Sequence, residues 1–68
     1  MSPRKIANVI RKHRESKGWL QAELARRAKV SQPYLNQLES GAKGKSPGVR
    51  ILQRLAKALG VPVTELLG

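Results

Sequence analysis

Three uncharged amide side chains lie within one short segment of this sequence, "SQPYLNQLESG", which runs from Ser31 to Gly41. Gln32, Asn36 and Gln37 each carry N–H donors beside a carbonyl acceptor in one plane. Each can therefore form a paired hydrogen bond with a partner that offers an acceptor beside a donor. Lys and Arg are the most frequent of the other polar residues of the chain, so the grouping of these amides points to a recognition surface.

The composition indicates one small basic domain. The chain has 68 residues, with 14 Lys and Arg against 4 Asp and Glu and a formal net charge of +10. A chain of this size buries only about 60% of its unfolded surface. We therefore expect a single domain over residues 1–68, with one core and no small-molecule site. The charge predicts a polyanionic partner.

Several classes of function are excluded by what the sequence lacks. It has no Cys and a single His, His13, so it can build neither a disulfide framework nor a zinc site. There is no pairing of nucleophile and base, no glycine-rich phosphate loop after a strand and no pair of neighbouring carboxylates. Apolar runs are only a few residues long, and the N-terminus lacks the apolar core of a secretion signal. We expect no enzyme, no cofactor, no membrane span and a cytoplasmic location.

The spacing of apolar residues is helical along the whole chain. Ser2 and Pro3 fit an N-cap and the first position of a helix that ends near Gly18. A second helix of about two turns is predicted within "QAELARRAKV", and a third between Ser31 and Gly41. A fourth is predicted from about Val49 to Leu59, and "VPVTELLG" forms a last short turn. The prediction is an all-α bundle of four to five short helices.

The third helix has an inward and an outward side. Leu35 and Leu38 are its predicted inward positions, and at 100° per residue four other residues fall on or beside the opposite side. These are Gln32, Pro33, Asn36 and Gln37. Gln and Asn can pair with N6 and N7 of adenine in the DNA major groove, whereas Lys and Arg bind phosphate regardless of sequence. The alternative, that the amides only solvate a helix surface, is equally compatible with this stripe alone.

The segment "QAELARRAKVSQPYLNQLESG", with "LAKALGV" downstream, resembles the helix-turn-helix domain of phage repressors, Cro proteins and the related XRE-type bacterial regulators. The similarity runs from about Ile6 to Leu67. It implies a lambda-repressor-like fold whose third helix enters the major groove. It also implies a repressor-like transcriptional regulator that binds double-stranded DNA as a homodimer on a palindromic operator, within the nucleoid.

The resemblance also implies roles for individual residues. The outward residues of the third helix, Gln32, Pro33, Asn36 and Gln37, would contact bases. The predicted phosphate contacts are Gln21, Ser31, Tyr34, Ser40, Lys43 and Lys45. Gln21 would also brace Gln32, whereas Tyr34 could equally cover the core with its ring. Arg14 and Glu39 match an ion pair that joins the first helix to the end of the recognition helix.

The sequence departs from the family pattern at three positions and in one loop. Leu20 replaces the usual hydroxyl or amide cap of the second helix, whose side chain is worth about 1 kcal/mol. Lys29 stands where the turn often has glycine, so a left-handed conformation there would be strained. Pro33 has no donor and could make only apolar contact with a base. The loop "GAKGKSPG" is longer than usual, so the dimer geometry is not transferred.

A second hypothesis is a protein-interaction module, such as an antitoxin or adaptor with secondary DNA binding. A helix that binds protein is expected to expose apolar or aromatic anchors rather than amides. For Trp19 the alternatives are a platform on which bases stack and a packing residue, and its place in the turn that packs the first helix on the second predicts a packing role. We likewise expect His13 to be a half-buried packing residue.

Overall fold

The computed structural model describes residues 3–41 and 47–67, and all regular structure within these ranges is helical. This confirms the all-α prediction. The helices are α1 (Pro3–Ser16), α2 (Gln21–Ala28), α3 (Gln32–Ser40), α4 (Val49–Leu59) and α5 (Thr64–Leu67). None of these helices has the length and apolar character needed to span a membrane. The predicted cap Ser2 and the loop lysines Lys43 and Lys45 lie outside the described residues.

Local signals explain where α3 begins and ends. The Ser31 hydroxyl oxygen accepts a hydrogen bond from the backbone N–H of Tyr34 at 3.2 Å, which caps the helix. Pro33 lies in the first turn, where a missing N–H leaves no helical bond unmade. Gly41 ends the helix with φ +67°, a left-handed conformation that glycine adopts without steric cost.

Two of the departures from the family pattern, Leu20 and Lys29, lie at the start and the end of α2. Leu20 occupies the N-cap without a side-chain hydrogen bond. Lys29 follows the helix with φ 59° and ψ 43°, the left-handed conformation in a residue other than glycine. The turn between α2 and α3 is therefore built on a strained lysine.

The core joins all five helices. Its largest fully buried side chains are Ile6, Ile10, Leu24, Leu35, Leu52, Leu55, Leu59 and Leu66. Helix α1 packs against α3, α4 and α5, and α2 packs against both α3 and α4. This packing holds α2 and α3 in one relative orientation and leaves the outward side of α3 free of other helices.

The inward side of α3 includes one residue that the sequence did not place there. Leu35 is fully buried, but Leu38 is only half-buried, and Glu39 lies in the interior with 4% of its surface exposed. Residues four apart on a helix share a side, so Leu35 and Glu39 together define the buried side of α3. Leu38 packs against the core with part of its surface, which confirms its predicted inward position, and Glu39 is tolerated beside it because its carboxylate is paired.

Candidate nucleic-acid interface

The outward side of α3 carries the amides that the sequence singled out. Gln32, Pro33, Asn36 and Gln37 are all exposed. Gln32, Pro33 and Asn36 line a shallow depression of about 360 Å³ together with Gln21 from the first turn of α2. The structure therefore brings the predicted base-contacting residues to one surface, with Gln21 beside them.

Glu39 receives hydrogen bonds from two other helices. Its carboxylate pairs with Arg14 of α1 through both oxygens: Arg14 Nε to Oε2 at 2.7 Å, and Arg14 Nη2 to Oε1 at 2.9 Å. Gln21 Nε2 also donates to Glu39 Oε1, at 3.1 Å. A bidentate pair of this kind is directional, so it sets the rotation of α3 as well as its distance from α1.

Arg14 also forms a hydrogen bond with the turn that precedes α2. Its Nη1 donates to the backbone carbonyl of Trp19 at 2.6 Å, and its side chain is 11% exposed against 3% for Glu39. The hydrogen bond with Glu39 raises the pKa of the Arg14 guanidinium, while burial acts in the opposite direction. Arg14 therefore links α1, the turn that precedes α2, and the C-terminal part of α3.

Gln21 has different partners from the one expected. The resemblance implied that Gln21 braces Gln32, but its amide bonds go to Glu39 and, at 3.5 Å, to Oδ1 of Asn36. A contact of 3.5 Å is at the outer limit of a hydrogen bond and is weak in water. The chain of contacts nevertheless runs from the buried Arg14 to Asn36 on the outward side of α3.

Three further predicted phosphate contacts lie within α3 or at its N-cap. Ser31 is exposed, and its oxygen caps the helix. Ser40 is exposed, with its hydroxyl donating to the Gln37 carbonyl at 2.8 Å. Tyr34 is half-buried, which is compatible with both alternatives that the sequence left open.

Trp19 is half-buried against the core and has two cations over its ring. The Arg27 guanidinium lies 4.3 Å from the ring centroid and the Lys17 ammonium 5.4 Å. Glu23 accepts hydrogen bonds from Arg27 and Arg26, both at 2.5 Å, and these bonds lower the pKa of Glu23. Trp19 is thus a packing residue, and sequence reasoning missed the cations that cover it.

Comparisons with known proteins assign the family. A family model described as "Helix-turn-helix" (HTH_3) matches residues 10–66. An uncharacterised HTH-type transcriptional regulator of Sinorhizobium fredii, y4dJ, is 44% identical over 69 residues, which cover 98% of this chain and 86% of that protein. Multiprotein-bridging factor 1 of Schizosaccharomyces pombe is 34% identical over 58 residues, or 85% of this chain. The match spans only 38% of the length of the fission-yeast protein.

The fold has close counterparts among solved structures. The N-terminal DNA-binding domain of SinR from Bacillus subtilis is 32% identical with a TM-score of 0.86, over 93% of this chain and 90% of that one. SinR in complex with DNA gives the same identity and TM-score over 93% and 98% of the two chains. Sequence, fold and the geometry of α2 and α3 agree, and the chain belongs to the helix-turn-helix family.

Proposed function

We propose that this chain is a sequence-specific transcriptional regulator that binds double-stranded DNA. The observation that carries the proposal is the exposed amide row of α3, held in place by the buried contacts of Glu39 with Arg14 and Gln21. A rigid helix with outward amides suits the major groove, where Gln and Asn distinguish adenine from the other bases. The proposed base contacts are those of Gln32, Asn36 and Gln37, with Pro33 limited to apolar contact.

The comparisons support this proposal by name and by fold. The Sinorhizobium relative is named a transcriptional regulator, and SinR has been solved with DNA. Both names are those of regulators and not of enzymes, and the proposed activity includes no chemical reaction. Its place of action would be the cytoplasm, on the nucleoid.

Attraction to phosphate comes from a different set of residues. The formal net charge of +10 provides it without regard to sequence. The proposed direct phosphate contacts are Gln21, Ser31, Tyr34, Ser40, Lys43 and Lys45. Backbone contacts of this kind set the register of α3 on the duplex, and the amides then read the bases.

The proposed assembly on DNA is a homodimer. A two-fold symmetric dimer matches a palindromic operator, and relatives place half-sites about 34 Å apart, one turn of the duplex. Repression would follow where such an operator overlaps a promoter.

A protein-interaction module is the second candidate. The name of the fission-yeast relative, a bridging factor, favours it, and so do two exposed apolar side chains, Leu20 (77% exposed) and Val49 (61%). Single exposed apolar residues are nevertheless common on protein surfaces. A helix that binds protein is expected to present apolar or aromatic anchors instead of an amide row, so DNA recognition is the stronger hypothesis.

The test is selection of binding sites from random duplex DNA at physiological salt. We expect an enriched, roughly palindromic site bound about a thousandfold or more tighter than scrambled duplex. The control is a variant with Gln32→Ala and Asn36→Ala, which should keep its fold and its salt-sensitive attraction to DNA but lose the enrichment. Uniformly weak binding without enrichment in the unmodified chain would contradict the proposal and direct the search to a protein partner.

A further inference from the structure

A basic groove lies between the C-terminal end of α2 and the second half of α4. It has a volume of about 510 Å³. The residues that line it are Arg27, Ala28, Lys29, Arg54, Lys57 and Ala58. Because α2 packs directly on α4 through buried leucine and alanine side chains, both walls belong to rigid elements. Four of the six lining residues are cationic, and no carboxylate is among them.

Three of these cations have no carboxylate partner among the described residues. Arg27 is paired with Glu23 and lies over the Trp19 ring. Lys29, Arg54 and Lys57 are exposed, and within residues 3–41 and 47–67 no carboxylate lies at ion-pair distance from any of them. Like charges that converge on one groove repel each other, and a bound anion would relieve that repulsion.

Helix dipoles account for only part of this cluster. Lys29 and Lys57 lie at the C-terminal ends of α2 and α4, where a cation is favourable next to unpaired carbonyl groups. Arg54 lies in the middle of α4, out of reach of that effect. Its presence on the groove is therefore not explained by the helix dipole.

The groove is separate from the amide surface of α3. Gln21, at the N-terminus of α2, belongs to the depression beside α3, whereas the groove begins at Arg27 near the other end of the same helix. At 1.5 Å per residue these positions are about 9 Å apart along the helix. The two sets of lining residues have no member in common. A ligand in the groove is therefore compatible with DNA on α3.

We propose that this groove binds an acidic peptide segment of a partner protein, a short run of Asp and Glu side chains. The alanines Ala28 and Ala58 offer only methyl groups, which leave space for a peptide backbone between the two cationic walls. Arg54 can hold a carboxylate through two parallel hydrogen bonds. The proposal concerns residues that the proposed DNA-binding function does not use.

Nucleic acid suits this groove less well than an acidic peptide. Single-stranded nucleic acid is bound by aromatic side chains on which bases stack, and no aromatic residue lines the groove. The nearby ring of Trp19 is covered by Arg27 and Lys17. A duplex presents its phosphates on a wide convex surface and would contact only the rim.

The test measures binding of a fluorescent hexaglutamate peptide to the 68-residue chain near physiological salt. One variant carries Arg54→Gln with Lys57→Gln in the groove; its control carries Arg11→Gln with Lys12→Gln on the exposed side of α1. Both lose two positive charges, so general attraction falls equally. We expect the groove variant to bind on the order of tenfold more weakly, and the control within about twofold of the unmodified chain. Circular dichroism verifies the helix content of both variants.

Several results would overturn the proposal. The first is an equal loss of hexaglutamate affinity in the groove variant and the control variant. The second is the absence of binding at millimolar peptide. The third is binding of a thymidine hexanucleotide that is as tight as that of hexaglutamate and also depends on the groove. Nuclear magnetic resonance of the unmodified chain provides a measurement that depends on no variant. Hexaglutamate should shift the backbone amide signals of Ala28 and Ala58. Shifts centred on Gln32 and Asn36 would instead show a DNA mimic on α3 and would also overturn the groove assignment.

Discussion

Glu39 illustrates at the scale of one residue how the interface is held together. A buried carboxylate loses several kcal/mol of hydration, which only a close partner with good geometry can offset. Arg14 supplies two hydrogen bonds from α1, and Gln21 supplies one from α2. In the part of the chain that the structure describes, no buried side-chain polar atom lacks a partner. The same contacts that satisfy Glu39 therefore fix α3 against α1 and α2.

Removing the cation of this pair should be costly. Arg14→Met leaves Glu39 buried without its main partner, and we expect the free energy of unfolding to fall by about 3–5 kcal/mol. The control is Glu15→Gln, which removes an exposed carboxylate 4.0 Å from Arg14 and should cost less than about 1 kcal/mol. Urea denaturation measures both. Equal losses in the two variants would mean that water, not protein, solvates Glu39.

Gln32 is the residue that best separates base reading from general attraction. Gln32→Ala should weaken binding to the selected site by about 1–3 kcal/mol and relax the preference at one base pair. Gln53→Ala, which removes an exposed glutamine of α4, is the matched control and should change neither. Fluorescence anisotropy on the selected site and its single-base variants makes the comparison. If Gln32→Ala weakens binding equally on every sequence, Gln32 does not read a base.

The turn after α2 contains one residue with a strained backbone, Lys29, and hydrogen bonds at the end of the helix compensate for that strain. The backbone N–H of Val30 donates to the Ala25 carbonyl at 3.0 Å and that of Lys29 to the Arg26 carbonyl at 3.3 Å. These paired bonds satisfy the last carbonyls of the helix, and they require a left-handed residue at Lys29. This turn directs the chain into α3. The helix-turn-helix geometry of this chain therefore requires the strained conformation of Lys29.

Glycine should relieve that strain. Lys29→Gly is expected to raise the free energy of unfolding by about 1 kcal/mol, because glycine adopts positive φ without a steric cost, although its freedom in the unfolded chain offsets part of the gain. Lys29→Ala removes the same charge and keeps the strain, so it should stay within about 0.5 kcal/mol of the unmodified chain. Thermal or urea unfolding compares the two. A glycine variant no more stable than the alanine variant would show that the turn is not strained.

The charge pairs within α2 predict a dependence on pH. Hydrogen bonds from Arg26 and Arg27 lower the pKa of Glu23 below its ordinary value of 4.5. A carboxyl group whose pKa is lower in the folded state stabilises that state above its unfolded pKa and loses the contribution as pH falls through its folded pKa. Glu23→Gln should therefore be less stable than the unmodified chain at pH 7, with the difference shrinking below pH 4.5. A difference that is constant from pH 7 to pH 3 would contradict this.

The whole molecule combines a net positive charge with two separate surfaces that have different proposed partners. The formal net charge of +10 attracts any polyanion, but the amides of α3 and the groove of Arg54 and Lys57 lie on separate surfaces. General attraction brings the chain to DNA, and the local surfaces decide what is bound there. Binding to DNA should therefore depend strongly on salt, with a slope set by the number of phosphate contacts.

Substitutions of single lysines test this division. Lys43→Ala and Lys45→Ala should each weaken binding to all duplexes and reduce the slope of log K against log salt by about one. Lys57→Ala removes the same charge from the groove and should leave the slope unchanged. A titration of salt against affinity on selected and scrambled duplexes measures the slopes. An unchanged slope in both loop variants would remove Lys43 and Lys45 from the phosphate contacts.

Features that depend on neighbouring residues in the chain could be predicted before the fold was known. Apolar spacing predicted the helices, Ser31 and Gly41 marked the ends of α3, and Lys29 signalled strain, because caps, turns and amphipathic spacing act within a few residues. The exposed amide row followed from the same spacing.

The contacts between side chains of different helices could not be predicted in this way, because they depend on how the helices pack. Hydropathy assigned Leu35 and Leu38 to the inward side of α3 but gave no sign of the buried Glu39, which lies there because Arg14, 25 residues away in the chain, reaches it from α1. Gln21 contacts Glu39 and Asn36 rather than Gln32, and the basic groove exists only because α2 packs on α4. Helical spacing specifies the side of its own helix on which a residue lies; the partner opposite depends on how the helices pack around a shared core.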